Sequence, residues 1–375
     1  MRVAVVAEYY PRRADPSLGV WAHRQALAAR DAGADVEVLV LHRPVPSLSA
    51  LRSGRPHALL EPLRQPLRGR LDGIRVTYVP FLAPPRPRSY AAWGKWAAPS
   101  LAAALRRRGR FDLVHAHYAA PAGDAVRRAR PGVPLVISVH GGDVLGVAER
   151  WPGGRDAVSR AFGAARLVLA NSAAIAQRSR ALGARDVRVV HLGADVPATA
   201  SAGTALVTVG NLIARKRHAD VLRALGRLDA PPPWIVVGDG PERPALERLA
   251  AELGVAAEFR GRLAPAEALR VSQSAGAFVL PSAEEAFGVA YIEAMAAGVP
   301  AIGARGEPGP EEIAASGGGM TLVPPGDAEA LAAAIRTVLA DRQALGAAAR
   351  ANVEASFTWE GCGRATVAAY EEALR

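Results

Sequence analysis

"PSAEEAFGVAYIEAMAAGVP" (Pro281–Pro300) is the stretch on which the reading of this chain turns. It is apolar and rich in alanine, yet it keeps two carboxylates, Glu285 and Glu293, with seven residues between them. The preceding "FVLPS" reads as a strand that ends at Pro281 and Ser282. Phe287-Gly288 then leads into a helix from about Val289 to Ala297, with Gly298 as its C′ stop. Glu285 sits in the loop at the strand's carboxyl end, and Glu293 lies in the helix. Eight helical residues span roughly 12 Å, and the turn shortens that distance. A helix N-terminus flanked by two carboxylates suits a ligand with a diphosphate on the helix N–H groups and hydroxyls at either end. Surface glutamates that merely aid a helix start would explain Glu285 but fit Glu293 poorly amid its apolar neighbours.

The same strand–turn–helix unit recurs upstream. "VTVGNLIARKRHADVL" (Val207–Leu222) is a strand, a turn at Gly210 and a basic cluster opening a helix. Lys216 falls near that helix start, where backbone N–H groups already favour anions. "VVGDGPERPAL" (Val236–Leu246) repeats the pattern at Gly238, but Arg243 stands where a dinucleotide fingerprint has its third glycine. "ALVTVG", "WIVVGDG", "AEFRG", "GAFVLPS" and "PAIGA" thus alternate with helical segments. The N-terminal half alternates likewise, through "VAVVAE", "DVEVLVL", "DLVHAHY", "PLVISVH", "RLVLANS" and "VRVVHLG". Near-continuous Val/Leu/Ile strands separated by helices predict parallel sheets covered on both faces. "VPATASAGT" reads as a linker, so the expected domains are 1–196 and 197–355, with a separate amphipathic helix over 356–375. Residues 43 to 90 are rich in Pro and Arg and weakly periodic, and read as a long excursion from the first domain.

The 375 residues suffice for two domains with real cores. No window approaches the ~18 apolar residues of a membrane span. The short apolar run in "MRVAVVAEYY" reads as a first strand, not as a signal segment. The single cysteine, Cys362, excludes an internal disulfide and a Cys-based metal site, so a cytoplasmic protein is expected. Charge is unevenly placed. Residues 1–196 carry 30 Lys+Arg against 14 Asp+Glu, a net of +16, whereas residues 197–375 carry 16 against 21, a net of −5. The basic half is either a solvated arginine-rich surface or one that meets an anionic partner.

The segment around Glu285 and Glu293 resembles the glycosyltransferase family 4 pattern, E-x7-E set in "PS…E-x-F-G…E-A-M-A-x-G-x-P", with every fixed position present. The resemblance extends over nearly the whole chain. It implies an α/β fold of the GT-B type: two Rossmann-like, doubly wound domains facing across a cleft, the last helix crossing back to the first. The activity implied is retaining transfer of a hexose-type sugar from a UDP- or GDP-linked donor without an essential metal. The acceptor implied is a saccharide or a polyprenyl-diphosphate-linked sugar. On this resemblance Glu285 contacts the donor hexose and Glu293 the ribose. The amides near Phe287, Gly288 and Val289 hold the diphosphate, and Lys216 neutralises it. Gly210 and Gly238 complete the donor site. One departure is Asn211, where the family often has Arg; transferases of the teichuronic-acid type also carry Asn there. Lys216 is then the main diphosphate cation, with Arg215 and Arg217 as neighbours that could compensate.

In the first half, "VISVHGGDVLG" ends a strand at His140, followed by Gly141-Gly142-Asp143. It resembles the family's "HG-x-D" element, whose histidine lies beside the reacting centre. The loop Pro11–Gly19 resembles the family's glycine loop, here reduced to Gly19 with Leu18 at the partner position, and implies contact with donor phosphate or acceptor. "HAHY" (His115–Tyr118) puts two histidines on one strand face and reads as a cleft wall or acceptor neighbour. "HLGADV" (His191–Val196) reads as hinge structure. The basic half is expected to meet an anionic acceptor or the inner face of the plasma membrane peripherally. Two other classes fit less of the chain. A nucleic-acid-binding protein would suit the charge, but the arginines are not interleaved with aromatics, and no nucleic acid is expected. A GT-B nucleotide-sugar epimerase would need no acceptor.

Overall fold

The computed structural model describes residues 1–46, 59–86 and 88–375. It divides into two compact units, Met1–His191 with Trp359–Arg375, and Leu192–Thr358.

The first unit is built on an eight-stranded sheet in the order β3-β4-β2-β1-β5-β6-β7-β8. The strands are β1 (Arg2–Ala7), β2 (Asp35–His42), β3 (Arg68–Leu71), β4 (Ile74–Pro80), β5 (Leu113–His117), β6 (Leu135–Val139), β7 (Leu167–Ala170) and β8 (Val187–Val189). Val3 to Ala7 have no exposed surface at all, because helices cover both faces of the central strand. The order reverses between β1 and β5, which makes their carboxyl ends the topological switch point where such sheets bind ligands.

The Pro- and Arg-rich excursion is not wholly outside the sheet. Part of it forms β3 and β4, an antiparallel pair beside β2. Asp72 (φ 47) and Gly73 (φ 83) join them in the two-residue Asp-Gly turn whose twist suits a hairpin. Residues 47–58 and 87 of that stretch lie outside the described residues.

The second unit carries a six-stranded parallel sheet, β11-β10-β9-β12-β13-β14. Its strands are β9 (Leu206–Val209), β10 (Trp234–Val237), β11 (Ala257–Gly261), β12 (Ala277–Leu280), β13 (Ala301–Ala304) and β14 (Met320–Val323). Here the reversal falls between β9 and β12. The turns of Lys216 and Glu285 leave these two strands, so both belong to the switch point.

The last helix, Trp359–Leu374, belongs to the first unit and packs along the helix Val20–Asp31. Gly363 permits this, since a Cβ there would overlap the Ala28 carbonyl. Within the second unit, Ala194 bridges Thr358 and donates to the Phe357 carbonyl at 2.8 Å. The "HLGADV" segment and the chain's return are thereby laid side by side.

Candidate active site

At the switch point of the second unit, Lys216 Nζ lies 2.5 Å from Glu285 Oε2, and the same oxygen accepts from Ser282 Oγ at 2.8 Å. The pair is largely enclosed, with side chains 13% and 12% exposed. Burial pushes the Glu285 carboxyl up. The Lys216 charge, the bonds from Lys216 and Ser282, and the Arg215 charge outweigh that and hold it below its ordinary value. Glu285 is thus an ionised acceptor at neutral pH. Its loop is gripped by the next one: Glu285 N–H donates to Glu307 Oε2 at 2.9 Å, and Gly309 N–H donates to the Glu285 carbonyl at 2.8 Å. Gly309 cannot carry a side chain, because a Cβ would run into the Phe287 carbonyl.

The helix that follows Glu285 runs Val289–Met295 and is capped by Gly288 at φ 86. A Cβ on Gly288 would strike the Tyr291 ring, and the Tyr291 hydroxyl in turn donates to the Leu280 carbonyl, pinning the helix to β12. Phe287 is buried against Phe357, with ring centroids 5.7 Å apart. Val289 opens the helix, and Glu293 sits on it half-buried, its carbonyl accepting from Gln273 at 3.3 Å. Gly210 and Gly238 meet across neighbouring turns. Gly238 adopts φ 141, and a Cβ on it would overlap the Gly210 carbonyl. The G-x-G of "VVGDGPE" is therefore explained by the packing of two turns, as Gly240 against Leu212 also shows. Asn211 is exposed at the end of β9. Arg217 (φ 57) turns to Asp220 at 2.7 Å, whereas Arg215 reaches the Ala283 carbonyl at 3.4 Å beside Glu285.

At the switch point of the first unit, His140 Nε2 lies 2.9 Å from His117 Nδ1, and the rings stack at 5.1 Å. Burial lowers the His140 pKa to about 3 and holds His117 well below its ordinary value, so one neutral imidazole donates to the other. His115 points along the same face into the core. Its Nδ1 is 2.7 Å from Tyr370 Oη and its Nε2 is 2.8 Å from Ser138 Oγ. Asp143 is fully buried and accepts from Ala119 N–H at 3.1 Å, tying the loop after β5 to the loop after β6. Gly142 makes room for the Tyr118 ring. Gly19 (φ 67) starts the helix Val20–Asp31, and a Cβ there would overlap the Tyr9 carbonyl. Leu18 N–H donates to the Asp15 carbonyl at 3.3 Å. Gly19 thus lets the loop press on Tyr9 and Tyr10. Among the described residues no group of three His, Cys, Asp or Glu is placed to hold a metal ion.

Two family models cover nearly the whole chain: Glycosyltransferase Family 4 matches residues 18–197, and Glycosyl transferases group 1 matches residues 198–354. A glycogen synthase of Mycobacterium tuberculosis is 30% identical over all of this chain and 95% of its own. The chain belongs to glycosyltransferase family 4. A teichuronic acid biosynthesis glycosyltransferase of Bacillus subtilis is 28% identical over 80% of each chain. The fold of this family 4 glycosyltransferase is GT-B, two Rossmann-like sheets in one chain. Among solved structures, sucrose-phosphate synthase from Thermosynechococcus elongatus superposes with a TM-score of 0.78 at 20% identity, over 99% of this chain and 98% of that one. Anabaena HepE, in complex with UDP-glucose, superposes with a TM-score of 0.73 at 18% identity, over 99% of this chain and all of that one.

Sequence reasoning missed several residues that shape these two places. Ser282 was visible only as a strand end. Glu307 lies in "ARGEPGPEE", which carries no signal for contact with a residue 22 positions earlier. Tyr9, Trp21 and Tyr118 are far apart in sequence and meet only through the fold.

Proposed function

We propose that this glycosyltransferase moves a hexose, with retention, from a UDP- or GDP-sugar to a saccharide or lipid-linked acceptor. The observation that carries the reading is the Lys216–Glu285–Ser282 cluster at the reversal of the second sheet. Lys216 has three N–H donors and uses one on Glu285, leaving the others for a diphosphate. Glu285, kept ionised, accepts from hexose hydroxyls in charge-assisted bonds, and Glu293 takes the ribose. The amides near Phe287, Gly288 and Val289 face the diphosphate, with Gly210, Asn211 and Gly238 forming the walls of the turns. His140, neutral and half-exposed, bonds the sugar beside the reacting carbon. The acceptor hydroxyl attacks that carbon from the face the nucleotide leaves. As the C–O bond breaks, its electron pair goes to the β-phosphate oxygen, which takes the hydroxyl proton. The protein contributes positioning and charge stabilisation. The complex of HepE with UDP-glucose supports a nucleotide-sugar donor.

The test is a panel of UDP- and GDP-sugars, read by nucleotide diphosphate release and thermal shift. No shift with any of them would overturn the donor assignment. Conversion of a donor sugar without acceptor would point instead to an epimerase.

The basic first unit is proposed to rest on an anionic membrane surface. Four of its leucines, Leu60, Leu63, Leu67 and Leu82, are 48% to 72% exposed. They share the segment 60–82 with exposed Arg64, Arg68 and Arg70, an apolar and cationic mixture suited to headgroups. No described helix is long and apolar enough to cross a membrane. Co-sedimentation with vesicles should rise with their anionic lipid content; equal pelleting with neutral vesicles would refute this.

A further inference from the structure

Four rings meet in a closed circuit at the carboxyl ends of β1, β5 and β6. Centroids are 5.1 Å apart for Tyr9–Tyr118, 5.5 Å for Tyr118–His140, 6.2 Å for His140–Trp21 and 6.4 Å for Trp21–Tyr9. Core aromatics of this unit such as Tyr10 and Tyr370 have no exposed surface, but each of these four is half-buried. Together they form a shelf with ring surface open to a ligand, at the place where the fold binds one.

Tyr9 joins the shelf to a cationic wall. The Arg86 guanidinium lies 5.4 Å over Tyr9 and 3.9 Å over Tyr90. Buried Glu8 holds it, with Arg86 Nη2 at 2.9 and 3.0 Å from the two carboxylate oxygens, and Tyr90 Oη donates to Glu8 at 3.0 Å. Glu8 is thereby committed. A second guanidinium, Arg43, lies 5.5 Å over Trp93, against which Arg86 also rests at 5.0 Å. Arg43 Nε donates to the Ala83 carbonyl at 2.8 Å, and no carboxylate pairs with Arg43 among the described residues. Two guanidiniums thus meet at Trp93 with the single carboxylate of Glu8, so the wall holds more positive charge than its own acid balances.

We infer that this shelf seats the acceptor sugar and that the sugar is acidic, its C–H face on Tyr9 and Trp21 and its carboxylate or phosphate on Arg43. This rests on the transferase reading, which puts the donor machinery in the second unit and leaves the first for the acceptor. Aromatic faces suit the apolar side of a pyranose. A guanidinium fixed by stacking takes an oxyanion in two parallel bonds with little loss of freedom.

The test uses the full chain without donor, titrated calorimetrically with methyl glucoside, glucuronate, glucose 1-phosphate and inorganic phosphate. One or both charged sugars should bind at least ~10-fold tighter than methyl glucoside, and which one does so tells carboxylate from phosphate. Arg43→Gln should reduce that preference to about threefold or less, and Arg43→Lys should restore part of it. Trp21→Leu should weaken charged and neutral sugars by a similar factor. The inference is overturned if charged and neutral sugars bind alike, if none binds, if Arg43→Gln keeps the preference, or if inorganic phosphate binds as tightly as glucose 1-phosphate. Thermal shift with UDP-sugars is read separately, so loss of the acceptor assignment is distinguishable from loss of the transferase reading.

Discussion

Lys216 and Glu285 satisfy each other in this structure, and the proposed chemistry asks both to serve a ligand as well. An ammonium has three donors and a carboxylate about four acceptor sites, so their contact does not exhaust either. It sets their charges in place before a donor arrives, which is what preorganised stabilisation requires. Lys216→Ala and Glu285→Ala should each lower transfer by at least ~10²-fold, measured as nucleotide diphosphate release under saturating donor. Near-normal turnover in either variant would remove them from the site. Arg217 offers a contrast. It sits three positions before its partner Asp220 and, at φ 57, takes a backbone conformation that few side chains favour. Its charge is spent locally, so Asn211 leaves Lys216, seconded by Arg215, as the cation beside Glu285.

At the scale of elements, the proposed donor site is four βα turns pressed together, and glycines mark where backbone meets backbone. Gly238 lies on Gly210, and Gly309 on Phe287. The helix Pro308–Ser316 begins at Glu307, whose carboxylate holds the Glu285 N–H from the neighbouring turn. Glu307 thus positions Glu285, the glutamate proposed to hold the donor. Glu307→Ala should cost about 5-fold in kcat, the equivalent of one net hydrogen bond, and Glu307→Gln should recover it because the amide oxygen still accepts. Equal loss in the alanine and glutamine variants would show that the charge, not the hydrogen bond, matters.

Over the whole molecule, the first unit closes on residues from both ends of the chain. Tyr370, on the last helix, reaches His115 at a separation of 255 positions, and Thr366 accepts from Gln25 at 3.2 Å. Tyr370→Phe strands a buried imidazole nitrogen and should destabilise this unit by about 1–3 kcal/mol, seen as a lower denaturant midpoint. The same interior makes stability depend on pH. His115 and His140 have pKa values lowered by burial to about 3, and His117 is also far below the ordinary 6.5. Such a ring takes its proton first in the unfolded chain. Stability is therefore full above about 6.5 and declines as pH falls towards the folded value. From pH 7 to pH 5 His115 and His140 should each remove about 2 kcal/mol, and a denaturation midpoint unchanged over that range would show that the rings are not held neutral.

The sequence by itself determined every strand but β3, β4 and β14, the turns that carry Lys216, Glu285 and His140, and the family. Those features are local: a buried parallel strand is a continuous apolar run, and a helix start after a glycine turn is written in adjacent residues. It also held the Asp72-Gly73 hairpin signal, which the surrounding proline and arginine obscured. The tertiary structure alone decided the rest. It brought Glu307 to Glu285, Arg86 to Glu8, and Tyr9, Trp21 and Tyr118 around His140. Parallel strands return to one sheet edge only after a crossover, so residues that share a switch point are tens of positions apart along the chain. No periodicity records that meeting, because it is set by the order of strands in the sheet.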